Sequence, residues 1–221
     1  MAEGLIQSLT EESTASSQSH FGIAPGVVTE NLDIMGEGRV KVRIPAMPGF
    51  EPWARVCSVG AGDSRGLCWI PQVDDEVLVA MAQNDASNAY VLGGLWSTRE
   101  RPPISDPLEF LTKRVIQTGV AGAPGHEVEF DDLLQSVTIT TSTKQKITMD
   151  PLKIELSGSL GTLTISLDGD SQTISIQSAV SLELKAPQIS IEGVSVEIKG
   201  TDISINAAGP VTVQGLPIKL N

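Results

Sequence analysis

The chain has 221 residues, of which 40% are hydrophobic and only 4% aromatic, and a formal net charge of -12. Such an acidic balance argues against binding through phosphate-backbone contacts, which relies on Lys and Arg displacing condensed counterions, and its plainest effect is to keep an assembled particle soluble. No apolar run reaches the length of about eighteen residues that a transmembrane helix needs.

The first twenty residues, MAEGLIQSLTEESTASSQSH, lack the basic start and apolar centre of a secretory signal. Rich in Ser, Thr, Glu and Gln, they read as a mobile leader, or a short helix that orders against a partner. From Phe21 to Trp96 the segments APGVVTEN, GRVKVRIP, WARVCSVG, GLCWIP, DEVLVAMA and AYVLGGLW alternate apolar and polar residues, the period of a strand with one buried face. Gly- and Pro-rich turns separate them. Five or six antiparallel strands of this kind predict a small closed barrel of oligonucleotide/oligosaccharide-binding (OB) topology. Cys57 and Cys68 flank a glycine loop and are expected as two buried thiols rather than a disulfide. Trp53, Trp69 and Trp96 are expected to pack in a core or an interface, not to form a base-stacking surface.

The segment RERPPISDP breaks every regular pattern and predicts a proline-stiffened connection. After GVAGAPG and HEVEFDD, one short alternation restarts about eleven times to the last residue: VTIT, KITM, LKIEL, LTISL, TISI, VSLELK, ISIE, VSVEIK, DISIN, VTVQ and IKLN. The apolar residues near the middle of the runs are Ile139, Ile147, Ile154, Ile165, Ile176, Leu184, Ile191, Ile198, Ile205, Val213 and Leu220. They step by seven or eight residues except for two steps of eleven, a solenoid-like regularity. No aromatic residue follows Phe130, which suits a narrow aliphatic prism. Strands this short cannot close an apolar interior alone. Three identical chains wound about one axis close it, with Ile139, Ile147, Ile154, Ile165, Ile176, Leu184, Ile191, Ile198, Ile205 and Val213 as the trimer core. Eleven layers at about 4.8 Å make a needle roughly 50 Å long. The expected class is all-β: a leader (1–20), an OB-fold barrel (21–97), a linker and neck (98–136), and an intertwined trimeric triple-stranded β-helix, a β-prism needle (137–221).

The barrel motifs G-R-V-x-V-x-x-P (38–45), A-R-V (54–56), P-x-x-D-D-E-V-L-V (71–79) and Y-V-x-G (90–93) occur in order. They resemble the OB domain of contractile-injection spike proteins, a family that includes phage baseplate assembly protein V, the phage T4 cell-puncturing protein and the VgrG proteins of type VI secretion. Residues 129–132, EFDD, resemble the lead-in to the VgrG needle. Two departures stand out: Asp74-Asp75 where the family often has Gly-Asp, and Ile34 where a proline is common. The resemblance implies a structural spike of a phage tail, tailocin, type VI-like or extracellular injection system, assembled in the producing cell's cytoplasm and then placed at the baseplate centre. It implies a homotrimer docked on a separate trimeric hub protein, with transient contact with the target membrane and effector cargo as a further partner. Leu5, Ile6 and Phe21 are the candidates for hub or cargo contact. The resemblance also implies a PAAR-type tip protein seated on Gly215, Leu216, Ile218, Leu220 and Asn221 at the end of the last strand. Iron-tipped relatives use an H-x-H motif, whereas this chain has only His20 and His126, so no metal or other cofactor is expected.

Catalysis is not expected either. Two carboxylate pairs have a plainer reading than a glycosidase pair: Asp168/Asp170 is a D-G-D turn between strands, and Asp131/Asp132 belongs to the neck motif. No G-x-S-x-G elbow and no Walker loop occurs. The competing readings are a trimeric tailspike that depolymerises surface polysaccharide, and an OB-fold nucleic-acid binder with a trimerising stalk.

Overall fold

A computed structural model describes residues 22–85, 87–120, 122–123 and 125–218. The chain divides into two units, Met1–Ala179 and Val180–Asn221.

The first unit begins with five strands: β1 (Ile23–Glu30), β2 (Arg39–Arg43), β3 (Trp53–Val56), β4 (Glu76–Met81) and β5 (Ala89–Gly94). They close into a barrel in the order β1-β2-β3-β5-β4. All neighbours are antiparallel except β3 and β5, which run parallel. The sequence had suggested antiparallel pairing throughout and a sixth strand at GLCWIP. That segment instead belongs to the long crossover 57–75, which the parallel β3–β5 pair requires. Its links to the outgoing limb, Leu67 N–H to Val59 O at 3.0 Å and the Ser58 hydroxyl to Leu67 O, do not make a ladder.

Alternation decides the barrel interior. Every second residue points inward, and Val28, Val40, Val42, Ile44, Val77, Val79 and Val91 are fully buried with Ala24, Ala54, Met81 and Ala89 around them. Each such Val or Ile contributes on the order of 1.5–3 kcal/mol by leaving water. Gly26 takes an inward position of β1 where a Cβ would meet Val79 Cγ2 at 3.2 Å and Arg43 O at 3.3 Å, so the core closes over bare backbone there.

The β1–β2 loop is fixed by one carboxylate. Asp33 accepts hydrogen bonds from the backbone N–H groups of Met35, Glu37 and Arg39, and from Arg39 Nε and Nη2 at 3.2 and 3.1 Å. Its side chain is only 8% exposed. The Arg39 side chain above all, and then these N–H donors, hold the Asp33 carboxyl down at about 2. Arg39 itself lies over the Trp53 ring, 5.8 Å from its centroid.

Beyond the barrel and the connection 95–112, seven strands form a continuous antiparallel meander: β6 (Lys113–Gln117), β7 (Glu127–Asp131), β8 (Ser136–Thr140), β9 (Lys146–Met149), β10 (Lys153–Ser157), β11 (Leu163–Asp168) and β12 (Thr173–Ser178). Two strands of the expected neck, β6 and β7, are thus part of the same sheet as the first repeats. The five runs 137–178, expected to wind directly with other chains, pair within their own chain. Tight turns make this possible. Alternate turns lie at one end of the sheet, where Asp131 accepts from the N–H groups of Leu133 and Leu134, Asp150 from those of Leu152 and Lys153, and Asp168 from that of Ser171. These Asx turns complete the bends that antiparallel return needs.

In the second unit, residues 181–218 form no strand, and no backbone–backbone hydrogen bond joins two of them among the described residues. Between residues without regular structure the chain bends near 187, 194, 201–202, 208–209 and 216–217.

Two outcomes test the barrel. Asp74 holds a left-handed backbone conformation, φ 77°, which Gly adopts without strain; Asp74→Gly is expected to raise stability and Asp74→Val to lower it by about 1–2 kcal/mol, read by denaturant unfolding. Because its folded-state pKa is depressed, Asp33 adds stability above the ordinary carboxylate range that is lost as pH falls from about 4 through about 2. Amide protection of residues 33–39 is expected to fall across that window, and Asp33→Asn to abolish the dependence.

Candidate functional site

The meander has a polar and an apolar face. Side chains directly opposite across antiparallel strands share a face, and one row runs Ile116, Val128, Ile139, Ile147, Leu156, Ile165, Ile176. A second row beside it runs Phe130, Val137, Met149, Ile154, Leu167, Ile174. The opposite face carries Glu127, Glu129, Thr138, Thr148, Lys153, Glu155 and Ser166.

Of the expected core residues, Ile139, Ile147, Ile165 and Ile176 therefore form one line, while Ile154 stands in the neighbouring row and Leu156 takes its place. None of them is buried within the chain: Ile139 and Ile165 are 37% exposed and Ile176, on the edge strand, 50%. Phe130, Met149, Leu156 and Leu167 belong to the same surface, as their i±2 spacing within each run shows, although the sequence reading chose only one residue per run. A contiguous two-row apolar face of this kind marks an interaction surface.

The second unit repeats an apolar pair instead: Leu182/Leu184, Ile189/Ile191, Val196/Ile198, Ile203/Ile205 and Val211/Val213, all exposed. Successive pairs are seven residues apart, with one step of eight between Ile203 and Val211. Seven residues hold one short extended segment and a bend, with no room for a hairpin turn. Leu184, Ile191, Ile198, Ile205 and Val213 are therefore not brought together in one chain. At the far end Leu216 is fully exposed and Ile218 half exposed. Of the other predicted contact residues, Leu5, Ile6, Phe21, Leu220 and Asn221 lie outside the described residues.

The remaining candidates have local roles. Asp131 and Asp168 cap turns, and Asp168 is held below the usual carboxylate range by its bonds from Ser171. Cys57 and Cys68 are unbonded, as expected, but exposed rather than buried: Cys57 follows β3, with its N–H on Val91 O, and Cys68 lies on the crossover. Trp53 is half-buried beneath Arg39. Trp69 and Trp96 are exposed and line a groove with Leu67, Arg101, Pro103 and Ile116, so neither joins the barrel core. Among the described residues no three His, Cys, Asp or Glu side chains converge as metal ligands, and no helix is long and apolar enough to cross a membrane.

The strand directions fix where the chain enters and leaves the barrel. Ile23 of β1 pairs with Ala80 near the end of β4, whereas Gly94 of β5 pairs with Val77 near its start. The chain therefore enters at one end of the strands and leaves at the other.

Residues 24–96 match the family model of the type VI secretion system/phage-baseplate injector OB domain. No curated protein matches the chain. The matched residues begin in β1 and end just after β5, so the domain and the closed barrel coincide. The barrel of this chain is therefore similar to the injector OB domain found in phage baseplates and type VI secretion systems.

Proposed function

We propose that this protein is the central spike of a contractile injection apparatus, a homotrimer whose barrel docks on a hub and whose C-terminal part is a triple-stranded β-helix carrying a tip protein. The observation that carries this reading is the joining of an injector OB domain to the extended segment 181–218. Its backbone groups have no ladder among the described residues, and its apolar pairs recur at steps of seven residues with one of eight.

Backbone N–H and C=O groups left without partners are costly beside apolar surface. Copies of the same chain offer identical extended segments, and three wound about one axis satisfy every ladder while turning the apolar pairs inward. Each bend then becomes a corner of a triangular prism, and each chain climbs one layer per segment, about 4.8 Å. The apolar face of the β6–β12 sheet meets its two counterparts in the same trimer. Folding of this part and assembly are one event.

The mechanism is mechanical and makes no use of bond chemistry. Hub-side force enters through the barrel and leaves along the needle, where many short ladders are loaded together. A tip of PAAR type covers Leu216 and Ile218, whose apolar side chains are otherwise open to water. In this reading Leu5, Ile6 and Phe21 are the candidates for hub or cargo contact. The working location is the baseplate centre of a phage tail or phage-tail-like particle.

Light scattering of the purified chain is expected to give roughly 70 kDa, three times 23.3 kDa. Replacing Ile198 by Asp buries three unpaired carboxylates and is expected to abolish the trimer. Leu216→Glu with Ile218→Glu is expected to leave the trimer intact and to cut binding of a PAAR-type protein at least tenfold in a pull-down titration. A wild-type monomer at micromolar concentration overturns the proposal.

A further inference from the structure

The apolar pairs of residues 181–218 cannot by themselves set how the copies align, since every layer presents nearly the same aliphatic residues. The outward side chains do differ from layer to layer. Lys185 Nζ lies 2.6 Å from Glu183 Oε1, and Lys199 Nζ lies 2.8 Å from Glu197 Oε1. The two pairs are fourteen residues apart and equally exposed. Midway, seven residues from each lysine, stands Glu192, exposed and without an ion-pair partner among the described residues.

From this spacing we infer that Lys185, Glu192 and Lys199 of three different copies stack as a charge ladder that fixes the register of the assembled needle. The inference rests on the intertwined trimer proposed above. In such a trimer each chain moves to the next face and the next layer with every segment. On any one face, the layer above a segment is therefore the following segment of a second copy, and the layer above that is the next segment of the third. Residues seven apart come to lie side by side across parallel strands, about 4.8 Å between backbones. The column reads Lys185, Glu192, Lys199, with the carboxylate between two ammonium groups supplied by two other copies. The adjacent column reads Glu183, Ser190, Glu197, Ser204 and keeps its two carboxylates two layers apart.

A copy displaced by one segment meets its neighbours at offsets of zero and two segments instead. Both columns then place like on like: Lys185 against Lys199 or its own equivalent, and Glu183 against Glu197. Opposite charges across a strand pair are favourable and like charges unfavourable. These exposed contacts add little stability; their effect is to penalise the slipped arrangements that the uniform aliphatic core tolerates.

The test uses the full chain with Cys57→Ser and Cys68→Ser, so that only introduced thiols react. Lys185→Cys with Glu192→Cys is expected to form interchain disulfides on mild oxidation and run as a covalent trimer on a non-reducing gel. Lys185→Cys with Lys199→Cys, two layers apart at about 9.6 Å, is beyond disulfide reach and is expected to remain uncrosslinked. Separately, Glu192→Lys is expected to lower the melting midpoint of the trimer, and Lys185→Glu with Lys199→Glu added to it to restore that midpoint. A trimer that crosslinks through 185 and 199, through both pairs alike, or through neither overturns the ladder, as does a midpoint unmoved by Glu192→Lys. A protein that is monomeric before any substitution overturns the trimer reading instead.

Discussion

The backbone's need for hydrogen-bond partners divides this chain into parts that meet it alone and a part that does not. The barrel meets it by closing on itself, with a parallel β3–β5 pair completing the ring. The meander meets it between consecutive strands and leaves only its two edges open. Residues 181–218, with the same alternating chemistry, form no such ladder among the described residues. The difference lies in the length of the repeat. Hairpin return consumes several residues per strand in turning, as in the Asp-capped bends at 131–135, 150–152 and 168–172, whereas seven-residue repeats leave a corner and nothing more.

Apolar burial follows the same division. The barrel has a filled interior of Val, Ile, Ala and Met. The meander has two apolar rows half open to water, and the C-terminal unit has its pairs exposed. Hydrophobic burial in these last two regions is a property of the proposed assembly, which is why an aliphatic sequence with almost no aromatic residues suffices. A narrow threefold interior gives large rings no place, and the aromatics stop at Phe130.

The barrel was legible in the sequence because strict alternation and turn chemistry agree at nearly every position. What escaped was the crossover. Leu67, Trp69 and the residues around them alternate like a strand, but strand identity depends on a neighbour to pair with, and the parallel β3–β5 contact that displaces this segment is set by topology. The hairpins were hidden for a related reason. Choosing Ile154 to represent its run gives steps of eight, seven and eleven that blend into the later repeats. The residue actually in line is Leu156, and the row then steps by eight, nine, nine and eleven from Ile139 to Ile176. Hairpin and wound segments share one alternation, and only spacing beyond what a corner needs separates them. The turn at Asp74 was legible as a break between strands, but its left-handed backbone, which glycine adopts without strain, shows only in the structure.

The order of these parts along the chain also sets an order in time. Neighbouring strands of the meander pair with their immediate successors, so their contacts are local and close rapidly within a single nascent chain. In the proposed trimer, the segments that depend on other copies follow the meander along the chain. The encounter of three copies would then begin from barrels and hairpins that are already shaped. The concentration-dependent step of that proposal joins the apolar faces of the meanders and the segments 181–218.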